Sequence, residues 1–478
     1  MSALLKPNEG ADHSFQAALG PVDKLISENQ HAQALSVLLP ILKAGVLEAA
    51  VLDRAASCYF QLGDSKTAIS LLEVITQTWP DLMLGWGKLA AMRQTNGDKD
   101  GAIECYRRAL KIEPNSVNAL TALNLLTPFT RDSRNAERLR KQTKKPKLDA
   151  RELAMAHNAL GRIEQRADKH RIAFRHFSKA KEATRVDFDL ALITAKVDEQ
   201  VRCFETVEKR ELSGEEPRMI FVCGMPRSGT TLVENILLRH SDVESVGESP
   251  ALTQTLQAVN QHMLRTGKGA KMWDWFGNLT AEEISAFRQY YYKVALANRP
   301  AKNPVIVDKM PLNSFELGLA HVLFPDAKFI FMSRHPLDVG LSNFSTNFYV
   351  GNEFSRRLDW IGEMTKSVYR SIHDYEFKLI DQLRLQSYAA MVTDPESQIS
   401  ALLTHLQLPW QDACMTPERS GGTVRTASFL QVREKINTNA LGKWKPYEAE
   451  LEPLVQALGG QEWIDDWQRR DDALAAVS

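Results

Sequence analysis

Residues 221–248 read FVCGMPRSGTTLVENILLRHSDVESVGE. The apolar run at 220–223 predicts a buried strand, and an apolar-periodic helix begins at Thr231. Between them, residues 224–231 have the spacing of a phosphate-binding loop, G-x-x-x-x-G-K-[ST], except that Thr230 stands where the lysine is expected. Backbone N–H groups and a helix N-terminus still bind oxyanions in such a loop. We therefore expect a loop that holds a nucleotide without ordinary triphosphate hydrolysis.

The composition of the chain excludes several classes of protein. At 478 residues the chain is too long for one domain. Its 59 Lys plus Arg residues equal its 59 Asp plus Glu residues, so the net charge does not indicate a nucleic acid or a membrane surface as partner. Five scattered cysteines lack metal-ligand spacing and fit a reducing compartment. Without a signal sequence or an apolar run of about 18 residues, we expect a cytoplasmic protein with no metal and no membrane span.

The N-terminal third repeats itself. Ala34, Ala68 and Ala102 are spaced 34 residues apart, and a degenerate copy covers 151–184 after a basic, irregular insertion at 138–147. In the best copy the positions of a helix–turn–helix unit are filled by Trp86, Gly97, Tyr106, Ala109 and Pro114. This pattern resembles the tetratricopeptide repeat (TPR), which implies a helical superhelix. The repeats would hold a peptide or protein, join a second subunit in a homodimer, or only support the fold.

The second part of the chain has a different pattern. The polar segment 211–217, ELSGEEP, predicts a linker between a helical repeat domain at 13–205 and a second domain at 217–478. In that domain, short apolar segments alternate with helices; the predicted strands are 219–223, 305–307 and 328–332. Such alternation predicts a mainly parallel sheet that binds ligands at the carboxyl ends of its strands. The fold class is therefore α + α/β.

The loop string PRSGTT at 226–231 resembles the sulfotransferase superfamily, and within it the tyrosylprotein-sulfotransferase-like branch that often follows TPR units. The resemblance implies transfer of a sulfuryl group from 3′-phosphoadenosine 5′-phosphosulfate (PAPS) to a hydroxyl, with 3′,5′-adenosine diphosphate as product and no metal. A cationic fork, hydroxyl groups and close backbone approach suit the 5′-phosphosulfate. The family's contacts to that group map onto Arg227, Ser228, Gly229, Thr230 and Thr231.

A second segment resembles the same family. Residues 329–342, FIFMSRHPLDVGLS, combine a strand with Arg334 just past its end and Ser342 on the next helix. The resemblance implies that these two residues bind the 3′-phosphate of the nucleotide. We expect structural roles for His335 and Asp338.

A third segment lies near the end of the chain. Residues 425–432, RTASFLQV, and 441–444, LGKW, resemble the family's late segment that closes over the cofactor. The resemblance implies nucleotide contacts from Ser428 and Lys443. It also implies that Trp444 packs the segment against the domain.

The chemistry needs a base and a cation. The family has a catalytic acid after the loop helix, which maps onto Glu248, and a catalytic lysine at a strand end, which maps onto Lys309. Glu248 would take the proton of the acceptor hydroxyl, while Lys309 and Arg227 would stabilise the leaving phosphate. We expect Asp308 to orient the lysine through a salt bridge.

Two departures from the family pattern leave questions open. Ala389 follows Tyr388 where members have glutamate, so we expect a nucleotide contact from the tyrosine without the glutamate's hydrogen bond. Ser249 and Pro250 follow Glu248, whereas the tyrosylprotein members commonly have a second glutamate, a threonine and arginines. The base could therefore be an offset residue, and the acceptor is a protein tyrosine, a glycan, a lipid or a small molecule.

Two other functions are compatible with parts of the sequence. A P-loop kinase or triphosphatase would use the same sheet, although Thr230 argues against it. A scaffold would combine the repeats with a degenerate nucleotide-binding domain. Aromatic residues between 250 and 303 form either core or substrate pocket; they are Trp273, Trp275, Phe276, Tyr290, Tyr291 and Tyr292.

Overall fold

Helices alone form the first part of the chain as far as it is described. A computed structural model describes residues 15–45, 47–184, 186–204, 216–269, 273, 277–348, 351–419 and 435–476. The chain divides after Ala183. The helices of the first unit are α1 (Phe15–Ser27), α2 (His31–Lys43), α3 (Ala49–Gln61), α4 (Ser65–Thr78), α5 (Met83–Thr95), α6 (Lys99–Ile112), α7 (Val117–Leu126), α8 (Arg134–Gln142), α9 (Ala150–Arg166) and α10 (His170–Glu182).

The 34-residue period has a structural cause in each copy. Ala34, Ala68 and Ala102 are fully buried in α2, α4 and α6, where a larger side chain would hold the neighbouring helices apart. The start of the second helix also repeats, because the side chains of Asp64 and Asp98 accept N-cap hydrogen bonds at α4 and α6. The predicted helix pairs are confirmed.

The prediction of an irregular insertion at 138–147 is wrong in part. Its first residues belong to α8, which begins after Ser133, whose side chain accepts a hydrogen bond from the N–H of Ala136 at 3.2 Å. Ala136 and Leu139 are fully buried, so this basic helix still has an apolar side to pack. The apolar side of α8 is hard to recognise in the sequence because Ala136 and Leu139 are its only apolar residues among charged ones.

The second unit begins before the predicted linker. Its helices are α11 (Leu190–Cys203), α12 (Thr230–Leu237), α13 (Ala251–Thr266), α14 (Ala281–Ala295), α15 (Leu317–Leu323), α16 (Pro336–Ser345), α17 (Leu358–Lys378), α18 (Tyr388–Thr393), α19 (Pro395–His405), α20 (Glu452–Leu458) and α21 (Gln461–Ala476). Short 3₁₀ turns occur at Pro311–Phe315, Glu353–Arg356, Asp412–Met415, Pro417–Arg419, Lys445–Tyr447 and Ala449–Leu451.

Helix α11 explains why the division falls at Ala183 and not at the predicted limit of 205. The buried amide of Gln200 donates to the carbonyl of Ser371 at 3.0 Å and to Asp374 at 3.1 Å, both on α17. It also accepts from the hydroxyl of Ser371 at 2.6 Å. A buried amide that satisfies its bonds on α17 ties α11 to the second unit.

In the described part of the second unit, five strands form one parallel sheet in the order β2-β3-β1-β4-β5. They are β1 (Arg218–Gly224), β2 (Val243–Gly247), β3 (Val305–Lys309), β4 (Lys328–Ser333) and β5 (Leu383–Ser387). The predicted α + α/β class and the three predicted strands are confirmed. The sequence did not reveal β2 and β5, which are the edges of the sheet and carry polar residues.

Candidate active site

The parallel register brings the loop, the lysine and the acid to one edge of the sheet. Val222, two residues before the loop begins, pairs with Lys309 at the end of β3. Gly247 at the end of β2 pairs with Asp308. Glu248 therefore leaves β2 beside Lys309, although 61 residues separate the two in sequence. The carboxyl ends of adjacent parallel strands produce this cluster.

The other side of the sheet edge is assembled in the same way. Ser333 pairs with Ser387, so the next residues, Arg334 and Tyr388, leave β4 and β5 side by side. The guanidinium carbon of Arg334 lies 4.5 Å from the centre of the Tyr388 ring. A cation stacked on an aromatic face is held in place without using its N–H groups.

Two glycines shape the loop between β1 and α12. Gly229 has a φ of 112°, in the left-handed region, and a Cβ there would lie 2.5 Å from the ring of Tyr388. A Cβ on Gly224 would lie 2.6 Å from the hydroxyl oxygen of Ser228. Both approaches are too close for any other residue, so the glycines are required by the loop itself.

Arg227 connects the two motifs that the sequence assigned to opposite ends of the nucleotide. Its backbone has a φ of 73°, which is unusual for a residue with a side chain. Its Nε donates to the hydroxyl of Ser342 at 3.1 Å, and its carbonyl accepts from Nη1 of Arg334 at 2.9 Å. The structure thus brings Arg227, Arg334, Ser342 and Tyr388 together.

Some polar atoms of this cluster lack a partner. Within the described part of the chain, the buried hydroxyl of Ser228 and the buried Nε of Arg334 make no hydrogen bond. The first N–H groups of α12, at Thr230 and Thr231, also have no partner within the helix. Buried donors without partners are uncommon in folded proteins. An anionic group such as a nucleotide phosphate would satisfy them, so these residues fit the implied ligand.

Burial also affects the pKa of Arg334. It lowers the pKa of the Arg334 guanidinium, whereas the nearby Tyr388 and Asp338 oppose that change. The group still carries its charge near neutrality because its ordinary pKa is so high. A buried cation gains more from an anion than an exposed one does.

Lys309 lies between two carboxylates. Its side chain is 0% exposed, and its Nζ lies 2.6 Å from Oε1 of Glu248 and 3.5 Å from Oε2 of Glu234. The side chain of Glu248 is 40% exposed, so one side of this pair is open to solvent. Glu234, on α12, accepts a hydrogen bond from Ser245 at 2.6 Å. The predicted base and the predicted cation are therefore bonded to each other.

The expected salt bridge between Asp308 and Lys309 is wrong. Adjacent residues of a strand point to opposite faces of the sheet. Asp308 instead accepts from the hydroxyl of Tyr291 at 2.6 Å and from the amide of Asn313 at 3.3 Å. Burial raises the pKa of Asp308 to about 7, although the Tyr291 hydrogen bond and the Lys309 charge oppose it.

The late segment lies only partly within the described residues. Ser428 falls outside them, so its predicted contact stays a prediction. Lys443 is exposed, and its neighbours are fixed: the N–H of Gly442 and that of Trp444 donate to Asp338 at 2.8 Å and 3.0 Å. The Trp444 ring stacks on His335 at 5.1 Å between centres. The structural roles expected of Asp338, His335 and Trp444 agree with these contacts.

Sequence reasoning missed Glu234. It occurs in TTLVENILL, where the surrounding positions are apolar and buried. An acid on the apolar side of a short helix is a signal that could have identified it, since a buried carboxylate needs a cation. Of the aromatic cluster between 250 and 303, Trp273 and Tyr291 belong to the core, whereas Tyr290 is 39% exposed. Trp275 and Phe276 lie outside the described residues.

Two features are absent from the described residues. In the described ranges, no three His, Cys, Asp or Glu side chains are grouped so that they could hold a metal. Across the same ranges, no helix has both the length and the apolar character to cross a bilayer. What the site offers is two arginines and a helix N-terminus for anions, beside a carboxylate and a buried lysine for proton transfer and charge stabilisation.

Comparison with known families matches both parts of the chain. A model of the sulfotransferase family matches residues 217–412. Two tetratricopeptide-repeat models match residues 50–82 and 85–116. The first match contains β1 to β5, and the two repeat matches together cover most of α3 to α6.

Several known proteins are similar to this chain. An uncharacterized protein of Aquifex aeolicus is 33% identical over 305 residues, which cover 62% of this chain and 40% of that protein. The protein-tyrosine sulfotransferase 1 of Danio rerio is 27% identical over 234 residues, which cover 47% of this chain and 65% of that protein. The sulfotransferase domain of a Synechococcus olefin synthase aligns with 22% identity and a TM-score of 0.34, over 50% of this chain and 91% of that domain. This chain spans less than two thirds of the length of both curated relatives.

Proposed function

Because residues 217–412 match a model of the sulfotransferase family and follow segments that match tetratricopeptide repeats, we propose that this chain transfers a sulfuryl group from PAPS to a hydroxyl acceptor. The observation that carries the proposal is the contact of Lys309 with Glu248 at 2.6 Å, beside a phosphate-binding loop that lacks the lysine of nucleotide triphosphatases. A buried cation paired with a half-exposed base suits in-line transfer to a hydroxyl.

The nucleotide would lie across the carboxyl ends of β1, β4 and β5. In this proposal, Arg227, Ser228, Gly229 and the two threonines of the loop hold the 5′-phosphosulfate. Arg334 and Ser342 bind the 3′-phosphate. Residues that complete the site are Tyr388, Ser428 and Lys443. The unpartnered donors of Ser228 and Arg334 support this orientation, because each would gain an anionic acceptor.

PAPS supplies, when bound, a sulfuryl group on a phosphate that can leave. Glu248 would accept the proton of the acceptor hydroxyl, and to do so it must exchange its bond with Lys309 for one with that hydroxyl. Lys309 and Arg227 would then stabilise the negative charge on the departing oxygen. Glu234 would remain as the counter-ion of Lys309 after Glu248 is neutralised, so the buried lysine is never left unpaired.

The acceptor belongs to the class of hydroxyl compounds, and the similarity to protein-tyrosine sulfotransferases favours a peptide or protein. The repeats would bind such a partner. A glycan, lipid or small molecule would be bound without the repeats. Incubation of wild-type protein with ³⁵S-labelled PAPS and a cell extract identifies the labelled product.

Two variants test the catalytic assignment. We expect Arg227→Ala and Lys309→Met each to lower sulfuryl transfer from PAPS by about 10²–10³-fold, as loss of a transition-state donor does. The matched control is Lys366→Met, since Lys366 also pairs with a carboxylate, at 2.8 Å from Glu363, but on α17. Circular dichroism confirms that the variants are folded. Full activity in both variants would contradict the assignment, and magnesium-dependent ATP turnover would replace it with a kinase or triphosphatase.

A further inference from the structure

Residues 440–444, here called the clasp, are fixed to the start of α16 by three different kinds of contact. The carbonyl of Ala440 accepts from Nη2 of Arg334 at 2.5 Å. The ring of Trp444 stacks on His335, with 11° between the ring planes. The carboxylate of Asp338 accepts the two backbone N–H bonds described above. Residues 334–338 therefore hold the clasp, which lies about one hundred residues later in the sequence.

Asp338 provides the central contact. It is 3% exposed, and each of its oxygens accepts from a different residue of the clasp, Oδ2 from Gly442 and Oδ1 from Trp444. Hydrogen bonds to an ionised carboxylate are about twice as strong as neutral ones. Because Lys443 lies between these two donors, its backbone is fixed on both sides.

The clasp also helps to fix the orientation of the Arg334 side chain. Its Nη1 and Nη2 donate to the carbonyls of Arg227 and Ala440, and its plane stacks on Tyr388, so the side chain has one orientation. Asp338 partly offsets the effect of burial on the pKa of Arg334. If the clasp moved away from α16, Asp338 would lose the two N–H groups that it accepts from. Its carboxylate could then form a salt bridge with Arg334. An aspartate that binds Arg334 would compete with a phosphate for the same group.

We propose that Asp338 is a positioning residue for the 3′-phosphate of the bound nucleotide. It holds the clasp closed through Gly442 and Trp444, and in doing so leaves Arg334 for the phosphate and orients Lys443 toward it. This inference rests on the proposed function, since it assumes a nucleotide with a 3′-phosphate. Asp338 touches neither the nucleotide nor the acceptor in this proposal.

Calorimetric titration of the full chain tests the inference with two probes, 3′,5′-adenosine diphosphate and adenosine 5′-monophosphate, which lacks the 3′-phosphate. We expect Asp338→Asn to weaken binding of the first probe by about tenfold or more, because a charge-assisted contact is lost. Binding of the second probe should change by less than about twofold. The matched control is Asp394→Asn, which removes the charge of an N-cap of α19 but keeps a good capping residue. Trp444→Leu, which removes the stack on His335, should act in the same direction.

The outcomes separate this inference from the function on which it rests. Equal affinity of wild type and Asp338→Asn for 3′,5′-adenosine diphosphate overturns the inference alone. Equal weakening of both probes also overturns it, since Asp338 would then support the whole site and not its 3′ end. Wild-type protein that binds neither probe overturns the proposed function. If Asp338→Asn fails to fold, the same comparison of probes with Trp444→Leu decides.

Discussion

At the scale of single residues, Asp308 and Lys309 illustrate how a strand separates two roles. Lys309 faces the acids of the site, whereas Asp308 faces the core and bonds to Tyr291. The sequence places these two charges side by side, but the alternation of a strand makes them independent. Asp308 is therefore a buried acid with a raised pKa, and it does not orient the lysine.

The stability of the second unit should depend on the protonation of Asp308. Its pKa is raised from 3.8 to about 7, so between these pH values the folded chain holds a proton that the unfolded chain releases. The free energy of unfolding must then fall as the pH rises through this range. We expect Asp308→Asn to remove this dependence, so that its stability relative to wild type improves by more than about 1 kcal/mol from acid to neutral pH. Denaturant titrations across the range measure this, and parallel curves for the two proteins would contradict it.

Sequence reasoning identified the residues proposed to bind the nucleotide's anionic groups, but it did not identify the residues that support them. Arg227, Arg334 and Ser342 belong to strings with recognisable spacing, and the structure connects them. Glu234 and the partners of Asp308 depend on which side chains face each other across the sheet. That information requires the strand order, which a single sequence does not contain.

At the scale of secondary-structure elements, the contact between α9 and α10 carries a titratable pair. Nδ1 of His157 lies 2.9 Å from Nδ1 of His176, so one ring donates and the other accepts. Such a hydrogen bond requires at least one ring nitrogen without a proton. Burial lowers the pKa of both rings from 6.5 to about 4, and the nearby cations Lys179 and Arg140 add to the effect.

The helical repeats should therefore lose stability in acid. Below pH 6.5 the two histidines become protonated in the unfolded chain but stay neutral in the folded chain. The free energy of unfolding therefore falls as the pH drops toward 4. We expect a loss of more than about 1 kcal/mol over this window, and a smaller one in His176→Gln. Thermal unfolding followed by far-ultraviolet circular dichroism, which reports helix content, measures this loss of stability. A variant as acid-sensitive as wild type would show that other groups are responsible.

Elements were predictable where their pattern was strong. The repeats and the central strands β1, β3 and β4 carry long apolar or periodic signals, and they are confirmed. Strand β5, LRLQS, alternates leucine with polar residues in a way that also fits a surface segment. Helix α8 has a high charge and two buried anchors. Tertiary packing decides such elements, since their own sequence is ambiguous.

At the scale of the whole molecule, the position of α11 determines where the chain can be divided. We expect a chain that begins at Thr184 to bind 3′,5′-adenosine diphosphate as the full chain does, because every described residue of the site lies in the second unit. A chain that begins at Pro217 lacks the buried side chains of Val197, Gln200 and Phe204. Its unfolding free energy should be lower by more than about 3 kcal/mol. Equal denaturation midpoints for the two chains would contradict this role of α11.

The strand order has a consequence for synthesis on the ribosome. Each repeat helix packs mainly on its sequence neighbours, so the first unit has local contacts and can fold as it emerges. Strand β1 is made before the other strands but lies in the centre of the sheet, between β3 and β4. Its partner strands are translated later, so its backbone hydrogen-bonding edges and its apolar side chains stay uncovered until then. We expect a stalled nascent chain to combine a folded repeat unit with an aggregation-prone β1, so chaperones would act on the second unit and not on the first.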